Sequence, residues 1–144
     1  GKITTYRKLA EAALAKIGEV FPQLPADWTA DVALPGGDFP VDDVTRLREK
    51  LARAYPFLSA YATRRLIRAY GTEAWAMLGD AKAQNDLGQS FGATITAREL
   101  DWAIAREWVR SGEDFLWRRT KLGLRLDPDA RAAVDTYIKS RVTD

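Results

Sequence analysis

The chain has 144 residues, 47% of them hydrophobic and 29% charged, which is typical of a protein that folds around a core of its own. It contains no Cys and no His, so disulfide bonds, thiolate metal sites, a cysteine nucleophile and the commonest general base are excluded. Its 22 basic and 20 acidic residues leave a net charge of +2, and no apolar run approaches the roughly 20 residues of a membrane span.

Apolar residues recur at three- and four-residue spacing between Tyr6 and Ile17, which predicts a first helix. Thr4 or Thr5 is its expected cap, and Gly18 marks its expected end. The following stretch, up to residue 41, contains four Pro and a Gly pair, and these residues predict an ordered loop that crosses the protein.

The rest of the chain also has helical periodicity, and alternating pieces such as residues 93–96 are too brief to predict a strand. Thr96 and Glu99 have the spacing of a capping box, which predicts the start of a helix with Trp108 on its buried face. Asp127 followed by Pro128 predicts the start of the last helix. Further helices are predicted over residues 42–55, 59–70, 72–78 and 113–122.

These patterns predict an all-α fold, a single compact domain of about six to seven helices with a Pro/Gly-rich crossing loop after the first helix. In this division residues 1–18 form the first helix, residues 19–41 the ordered loop and residues 42–144 the helical core.

The N-terminal stretch from Gly1 to Arg7 is the first candidate for function. It combines a small residue, the positive charge of Lys2 and the free N–H groups of a helix start, a combination that favours an anion. An ordinary capped helix explains the same residues.

Glu107 falls on the apolar stripe of its predicted helix, where a carboxylate is usually paired. Arg118, Arg119 and Thr120 follow on the next helical piece. They predict either an anion site around the arginines or a structural pair between Glu107 and an arginine. The structural pair is the simpler interpretation, because arginine suits a buried carboxylate.

A basic segment lies at residues 46–68, and residues 41–71 carry a surplus of four positive charges. Such a segment either docks on nucleic acid or an anionic membrane surface, or forms a solvated helix face. Asp42, Asp43 and Glu49 dilute the charge and favour the solvated face. The sequence Pro-Gly-Gly-Asp at residues 35–38 lacks the Lys-Ser/Thr of a phosphate loop and is predicted to be a turn.

Four stretches occur in the order found in a known family. Gly1–Glu11 is similar to a segment reading Gly-Gly-Lys-hydrophobic-Thr-Thr-Tyr-Arg, with one of the two Gly present. The others are Leu34–Asp38, Leu66–Gly71 and Arg118–Leu122, the last with Glu107 upstream. Together they resemble the C-terminal helical domain of aerobic FAD-dependent glycerol-3-phosphate dehydrogenases (the alpha-glycerophosphate oxidase/dehydrogenase family). Val109 is a departure, since the family often has a small residue there.

The resemblance implies a longer parent enzyme that oxidises sn-glycerol 3-phosphate to dihydroxyacetone phosphate, with FAD as hydride acceptor and quinone or oxygen as electron acceptor. The flavin fold and the catalytic residues are expected upstream, so this chain alone is expected to be inactive, without bound FAD and without a metal site. By resemblance, Lys2 is expected near the flavin and the substrate, and Gly1, Lys2, Ile3 and Thr4 are expected to contact FAD. Residues 1–18 are then the helix that connects the two domains.

Because residue 1 is Gly rather than Met, we expect the chain to be a part of a longer or processed protein. The implied partner is the upstream FAD-binding domain. A homodimer, a cytoplasmic location and a peripheral contact of the parent enzyme with the cytoplasmic face of the membrane are further expectations. The alternative is an independent basic all-α module that binds nucleic acid or a protein, of which nucleic acid is the less favoured partner.

Overall fold

The computed structural model describes residues 2–142. Helices account for 62% of the chain, so the predicted all-α class is confirmed. The helices are α1 (Tyr6–Gly18), α2 (Val44–Ala54), α3 (Ala60–Tyr70), α4 (Glu73–Leu78), α5 (Ala97–Arg106), a π-helix (Asp114–Arg119) and α6 (Pro128–Arg141). Single 3₁₀ turns occupy Ile3–Thr5, Thr29–Asp31, Gln84–Leu87 and Leu122–Arg125. The chain divides into two compact units between Leu34 and Pro35.

The first unit is built on α1, and its buried side chain is a carboxylate rather than an apolar group. Glu11 is 5% exposed and accepts hydrogen bonds from Arg7 (2.7 Å), Lys8 (2.8 Å) and Thr29 (2.5 Å). The Lys8 and Thr29 hydrogen bonds and the charge of Arg7 lower the pKa of Glu11 to about 2, against the opposing effect of burial. This clasp ties α1 to the turn at Thr29–Asp31.

The apolar stripe predicted for α1 is present on the helix, but its side chains are exposed to solvent. Of its large members, Tyr6 is 54% exposed, Leu9 64% and Ile17 46%. A helix face of this kind normally packs on another element. The first unit therefore presents an apolar surface that its own residues do not bury.

The second unit contains two apolar cores. The first core joins α2, α3 and α4, and its buried members are Leu47, Leu51, Tyr55, Leu66, Ile67, Tyr70, Ala74, Met77, Leu78, Ala81 and Leu87. The second joins α5, the π-helix and α6, and its most deeply buried members include Ile95, Leu100, Val109, Phe115, Val134 and Ile138. Burial of each large aliphatic side chain contributes roughly 1.5–3 kcal/mol, so this unit holds the apolar stabilisation that the first lacks.

A small antiparallel hairpin contributes Phe91 and Ile95 to the second core, and the sequence did not predict it. Strand β1 (Ser90–Gly92) pairs with β2 (Ile95–Thr96), with Ser90 opposite Thr96. The turn residues Ala93 and Thr94 both have positive φ, at 46° and 65°. Such turns usually use Asn-Gly or Asp-Gly, so the residues here carried no hairpin signal.

The helix boundaries follow the predictions in part. Asp127 caps α6, since its carboxylate accepts from the N–H of Ala130 at 2.8 Å, as predicted. The capping box at Thr96 is wrong, because Thr96 makes no side-chain cap and Glu99 is turned into the protein. The buried position predicted for Trp108 is also wrong. Helix α5 ends at Arg106, and Trp108 has a φ of 59° and is 82% exposed.

The turn that begins at Pro35 packs on the end of α3. Gly36 and Gly71 both have positive φ, and a Cβ on either residue would overlap backbone atoms of the opposite segment. The N–H of Thr72 donates to the carbonyl of Gly36 at 3.1 Å, and the Thr72 hydroxyl donates to the Asp38 carboxylate. Residues 35–38 thus form the predicted turn, which two glycines hold against α3.

Candidate functional site

The residues that the family resemblance assigns as flavin contacts lie at the start of the first unit. Lys2 and Thr4 are exposed, and Ile3 is 85% exposed. The carbonyl of Lys2 accepts from the N–H of Thr5 at 3.1 Å and from its hydroxyl at 2.9 Å, which fixes the backbone of the turn. Gly1 lies outside the described residues. The arrangement presents one ammonium group and one apolar side chain to the surroundings.

The strongest polar contact in the second unit is a buried ion pair that the sequence did not predict. Arg65 donates to both oxygens of Glu99 at 2.6 Å, and the Tyr70 hydroxyl donates to the same carboxylate at 2.8 Å. Arg65 also donates to the hydroxyl and the carbonyl of Thr94, at 2.9 and 3.0 Å. The network therefore fastens the hairpin turn and α5 to α3.

The ionisation of this network is set by its surroundings. Burial and the neighbouring Glu99 carboxylate raise the pKa of the Tyr70 hydroxyl above its ordinary value. Burial works against the charge of Arg65, but the hydrogen bond and the charge of Glu99 outweigh it, and the pKa of the guanidinium is raised. Tyr70 therefore stays a proton donor, and Arg65 stays a cation. Arg65, Tyr70 and Glu99 therefore serve to hold the packed segments together, because each of them already has a hydrogen-bond partner within the network.

Glu107 does not form the predicted ion pair. Arg118 pairs instead with Glu113 (2.8 Å) and Asp114 (2.6 Å) on its own helical segment. Glu107 makes no ion pair within residues 2–142, although Arg119 lies close enough to influence it. The reason is local: the chain leaves α5 at Glu107, so the helix face on which the prediction was based ends one residue earlier.

Glu107 lies in a cavity of about 540 Å³, whose other lining residues include Tyr70, Glu73, Trp108 and Arg119. Burial raises the pKa of Glu107, with a smaller contribution from the charge of Glu73, and the charge of Arg119 opposes the change. A carboxyl group in such a position holds its proton to a higher pH than an exposed one.

The segment carrying the arginines of the fourth motif is a π-helix, which the sequence analysis described as ordinary helix. Thr120 closes it, since its N–H and its hydroxyl both donate to the carbonyl of Phe115, at 3.1 and 2.8 Å. The Thr120 hydroxyl also accepts from the N–H of Leu122 at 3.2 Å. Wide turns of this type are rare and often occur at functional positions. Here the wide turn separates Arg118, which faces acidic neighbours, from Arg119, which faces α3.

Arg119 contributes to a second cavity, of about 460 Å³, which we call the arginine cavity. Three segments of the second unit supply its walls: α3, the end of the π-helix and the turn after it. The lining residues are Tyr61, Arg64, Arg65, Arg68, Ala69, Arg119, Thr120 and Arg125. The guanidinium of Arg125 stacks on the ring of Tyr61, at 5.3 Å from its centroid. Arg64 and Arg68 are four residues apart and so share a helix face, a signal that the sequence analysis did not use, whereas sequence spacing carries no signal that Arg119 and Arg125 join them.

The basic segment 46–68 is therefore divided by the fold. Arg65 turns inward to Glu99, Arg53 pairs with Glu49 at 3.7 Å, and Arg64 and Arg68 line the arginine cavity. No helix within residues 2–142 is both long and apolar enough to cross a membrane. The same residues contain no cluster of three or more acidic side chains arranged to hold a metal ion.

Comparison with known proteins gives the family context of this geometry. Residues 28–140 match the model of the C-terminal domain of alpha-glycerophosphate oxidase. A glycerol-3-phosphate dehydrogenase from Pseudomonas aeruginosa is 42% identical over 97% of this chain, and the aerobic glycerol-3-phosphate dehydrogenase of Escherichia coli is 40% identical over 96%. The D-erythritol 1-phosphate dehydrogenase of Brucella abortus is 37% identical over 92%.

The chain spans 26–27% of the length of these relatives. The matched residues include the π-helix, the turn at Pro35 and the end of α3, and at the last two the structure shows close backbone approach and a buried polar contact. The chain belongs to the family of C-terminal domains of alpha-glycerophosphate oxidase.

Proposed function

We propose that the chain works as the C-terminal helical domain of a longer FAD-dependent dehydrogenase, which oxidises sn-glycerol 3-phosphate to dihydroxyacetone phosphate. The observation that carries the proposal is the family match over residues 28–140, together with two relatives that bear the name glycerol-3-phosphate dehydrogenase. The chain corresponds to about a quarter of their length, so the catalytic groups are expected in the remaining part of the parent.

The exposed apolar face of α1 supports a contact with that remaining part. Leu9, Leu14 and Ile17 lie on solvent in the first unit, and their burial would release roughly 25 cal/mol for each Å² removed from water. A flavin-binding domain of the same chain is the expected occupant, because the first motif is similar to the segment that closes such a domain. The domain would then hold α1 in place as a connecting helix.

Lys2 is the residue of this chain that we propose to lie nearest the substrate, with Gly1, Ile3 and Thr4 as contacts of FAD. The exposed ammonium of Lys2 suits a phosphate or a flavin edge, and the hydrogen bonds from Thr5 to the Lys2 carbonyl fix the backbone of the turn that carries it. These few groups fit the edge of a flavin site rather than a whole one. Bound FAD would accept the hydride; Lys2 would bind and orient the anionic substrate.

We also propose a cytoplasmic parent that contacts the membrane surface peripherally and passes electrons to quinone, or to oxygen as the alternative acceptor. A homodimer is the proposed assembly. The excess of basic residues at 41–71 supports the surface contact, because anionic lipid attracts such segments.

The experiment compares the 144-residue chain with the longer protein that carries it. We expect the longer protein to be yellow and to reduce an artificial electron acceptor when sn-glycerol 3-phosphate is added, whereas the chain alone is helical, colourless and inactive. D-erythritol 1-phosphate is tested in parallel, because one relative is named for it. A chain that binds FAD and reacts by itself, or a longer protein that oxidises neither substrate, contradicts the proposal.

A pair of lysine variants of the longer protein tests the role of Lys2. Lys2→Ala is expected to raise KM for the phosphorylated substrate by about tenfold or more, since it removes a charged contact. Lys16→Ala is the control, because Lys16 is an exposed lysine of α1 whose partner, Glu19, is also exposed. Equal effects of the two changes would contradict the assignment of Lys2.

A further inference from the structure

We propose that the arginine cavity binds a phosphomonoester group. Five of its eight lining residues are arginines, of which Arg65 is already paired with Glu99 and the other four are available to a ligand, and a carboxylate is absent from the lining. Arginine is the side chain that best matches a phosphate, since its planar fork donates two parallel hydrogen bonds to two oxygens.

No acidic side chain in the lining neutralises the positive charge of the arginine cavity. Glu99 pairs with Arg65 alone. Within residues 2–142, no carboxylate lies at ion-pair distance from Arg64, Arg68, Arg119 or Arg125. Cations that face one concave surface repel each other, and a bound dianion relieves the repulsion.

The backbone holds these arginines in place. Arg64 and Arg68 stand one turn apart on α3, a helix whose opposite face is buried in the first core. Arg119 ends the π-helix, and the Thr120 hydroxyl, bonded on both sides, fixes the chain just after it. Lys121 has a φ of 58° and turns the chain, and Arg125 then stacks on Tyr61. Three separate segments thus present guanidinium groups to one space.

The size and walls of the cavity favour a small organic phosphate. A volume of about 460 Å³ lies within the range of roughly 300–1,000 Å³ that small-molecule sites occupy. Tyr61 and Ala69 supply apolar wall for the part of a ligand that carries the phosphate. Inorganic phosphate alone leaves this wall uncovered.

An extended polyanion suits the surroundings less well. Beyond Arg119 lies the neighbouring cavity, where Glu73 and Glu107 would face the backbone of a nucleic acid that continued along the surface. Arg53, the last basic residue of α2, is already paired with Glu49. The positive region therefore ends on the Arg119 side, whereas towards α2 it continues to Arg48, which lines a small cavity together with Arg64 and Arg68.

The test is a titration of the ¹⁵N-labelled 144-residue chain, with the arginine Nε–Hε signals observed by nuclear magnetic resonance. Inorganic phosphate and phenyl phosphate are the probes, and sodium chloride at equal ionic strength is the reference. We expect saturable shifts at the cavity arginines, with tighter binding of phenyl phosphate because its ring covers the apolar wall. The titration uses neither flavin nor activity, so its failure is distinguishable from a failure of the proposed function.

Charge-matched variants separate a built site from general electrostatics. Arg68→Gln and Arg119→Gln are each expected to weaken phosphate binding by about tenfold. Arg110→Gln removes the same charge from an exposed arginine outside the cavity and is expected to leave it unchanged. Arg119→Lys keeps the charge but loses the fork, so an intermediate loss supports bidentate binding. All three side chains, Arg68, Arg110 and Arg119, are exposed, and thermal melting verifies that the four variants fold.

Vesicles identify the source of the phosphate. A preference for phosphatidic acid, a phosphomonoester, over phosphatidylglycerol at equal surface charge supports a lipid headgroup at the site, whereas binding of the free probes alone supports a soluble metabolite. Equal binding to both lipids without saturable binding of the free probes overturns the proposal. Equal weakening by Arg119→Gln and Arg110→Gln overturns it too, as does binding of duplex DNA alone.

Discussion

Replacing Arg65 by Met tests the importance of the buried ion pair for stability. The change keeps much of the aliphatic stem but leaves the Glu99 side chain, only 2% exposed, with the Tyr70 hydroxyl as its one hydrogen-bond partner among the described residues. Removal of one member of a buried pair typically costs about 3–5 kcal/mol, because the remaining charge is uncompensated. Arg65 also donates two hydrogen bonds to Thr94, so we expect the loss to lie in the upper part of that range.

The control is Arg118→Met, the same chemical change at the surface. Arg118 is 59% exposed and pairs with Glu113 and Asp114, and such exposed pairs contribute about 0–1 kcal/mol. A double variant, Arg65→Met with Glu99→Leu, removes both buried charges and is expected to recover part of the stability that the single change loses.

Urea unfolding, followed by circular dichroism and tryptophan fluorescence, measures all three variants. The midpoint should fall for Arg65→Met with little change in the slope of the free energy against urea concentration. The reasoning is refuted if Arg65→Met and Arg118→Met differ by less than about 1 kcal/mol. It is refuted as well if the double variant is no more stable than Arg65→Met alone.

Two further substitutions test the turn and the raised carboxyl pKa. Gly71→Ala is expected to lower the unfolding free energy by at least about 2 kcal/mol, because alanine disfavours the positive φ at this position and the added Cβ meets the Gly36 carbonyl. The control is Gly18→Ala, which has open space around the added Cβ and is expected to be neutral or stabilising in the same urea assay. Glu107→Gln is expected to stabilise the protein at pH 7, because folding raises the pKa of Glu107 above the ordinary 4.5 and its ionisation therefore opposes folding as the pH rises. Melting temperatures of this variant and the wild type should converge below about pH 4.5, and a pH-independent difference would contradict the cause given.

Local signals made most of the helical fold predictable. Asp127-Pro128 started α6 as expected, and the periodicity of residues 59–70 placed α3 within one residue. Such predictions succeed because a cap or a helix face depends on neighbours within one or two turns. The all-α class followed from the number of these segments.

Long-range polar pairs were not predictable by the same means. Glu99 fits a capping box on the sequence, but its carboxylate is buried against Arg65, 34 residues earlier, and it makes this ion pair instead of the local cap. Glu107 is predicted to pair with Arg118 or Arg119, but the chain leaves α5 at Glu107, the π-helix turns Arg118 towards Asp114, and Arg119 does not reach ion-pair distance among the described residues. Residue spacing alone predicts neither the buried ion pair of Glu99 nor the end of α5 at Glu107.

Three of the four motifs that carried the family resemblance lie at or against α3: the turn at residues 35–38, the helix end Leu66–Gly71 and the stretch Arg118–Leu122. The buried face of α3 enters the first core, Tyr70 bonds to Glu99, and Gly71 admits the turn at Gly36. Its other face brings Arg64 and Arg68 to the place that Arg119 reaches from the π-helix. Packing explains why Tyr70 and Gly71 stand at the end of this helix. It does not explain Arg119, which has no acidic partner at ion-pair distance within residues 2–142. A bound anion supplies that reason, and the fourth motif then combines a backbone turn with a ligand contact.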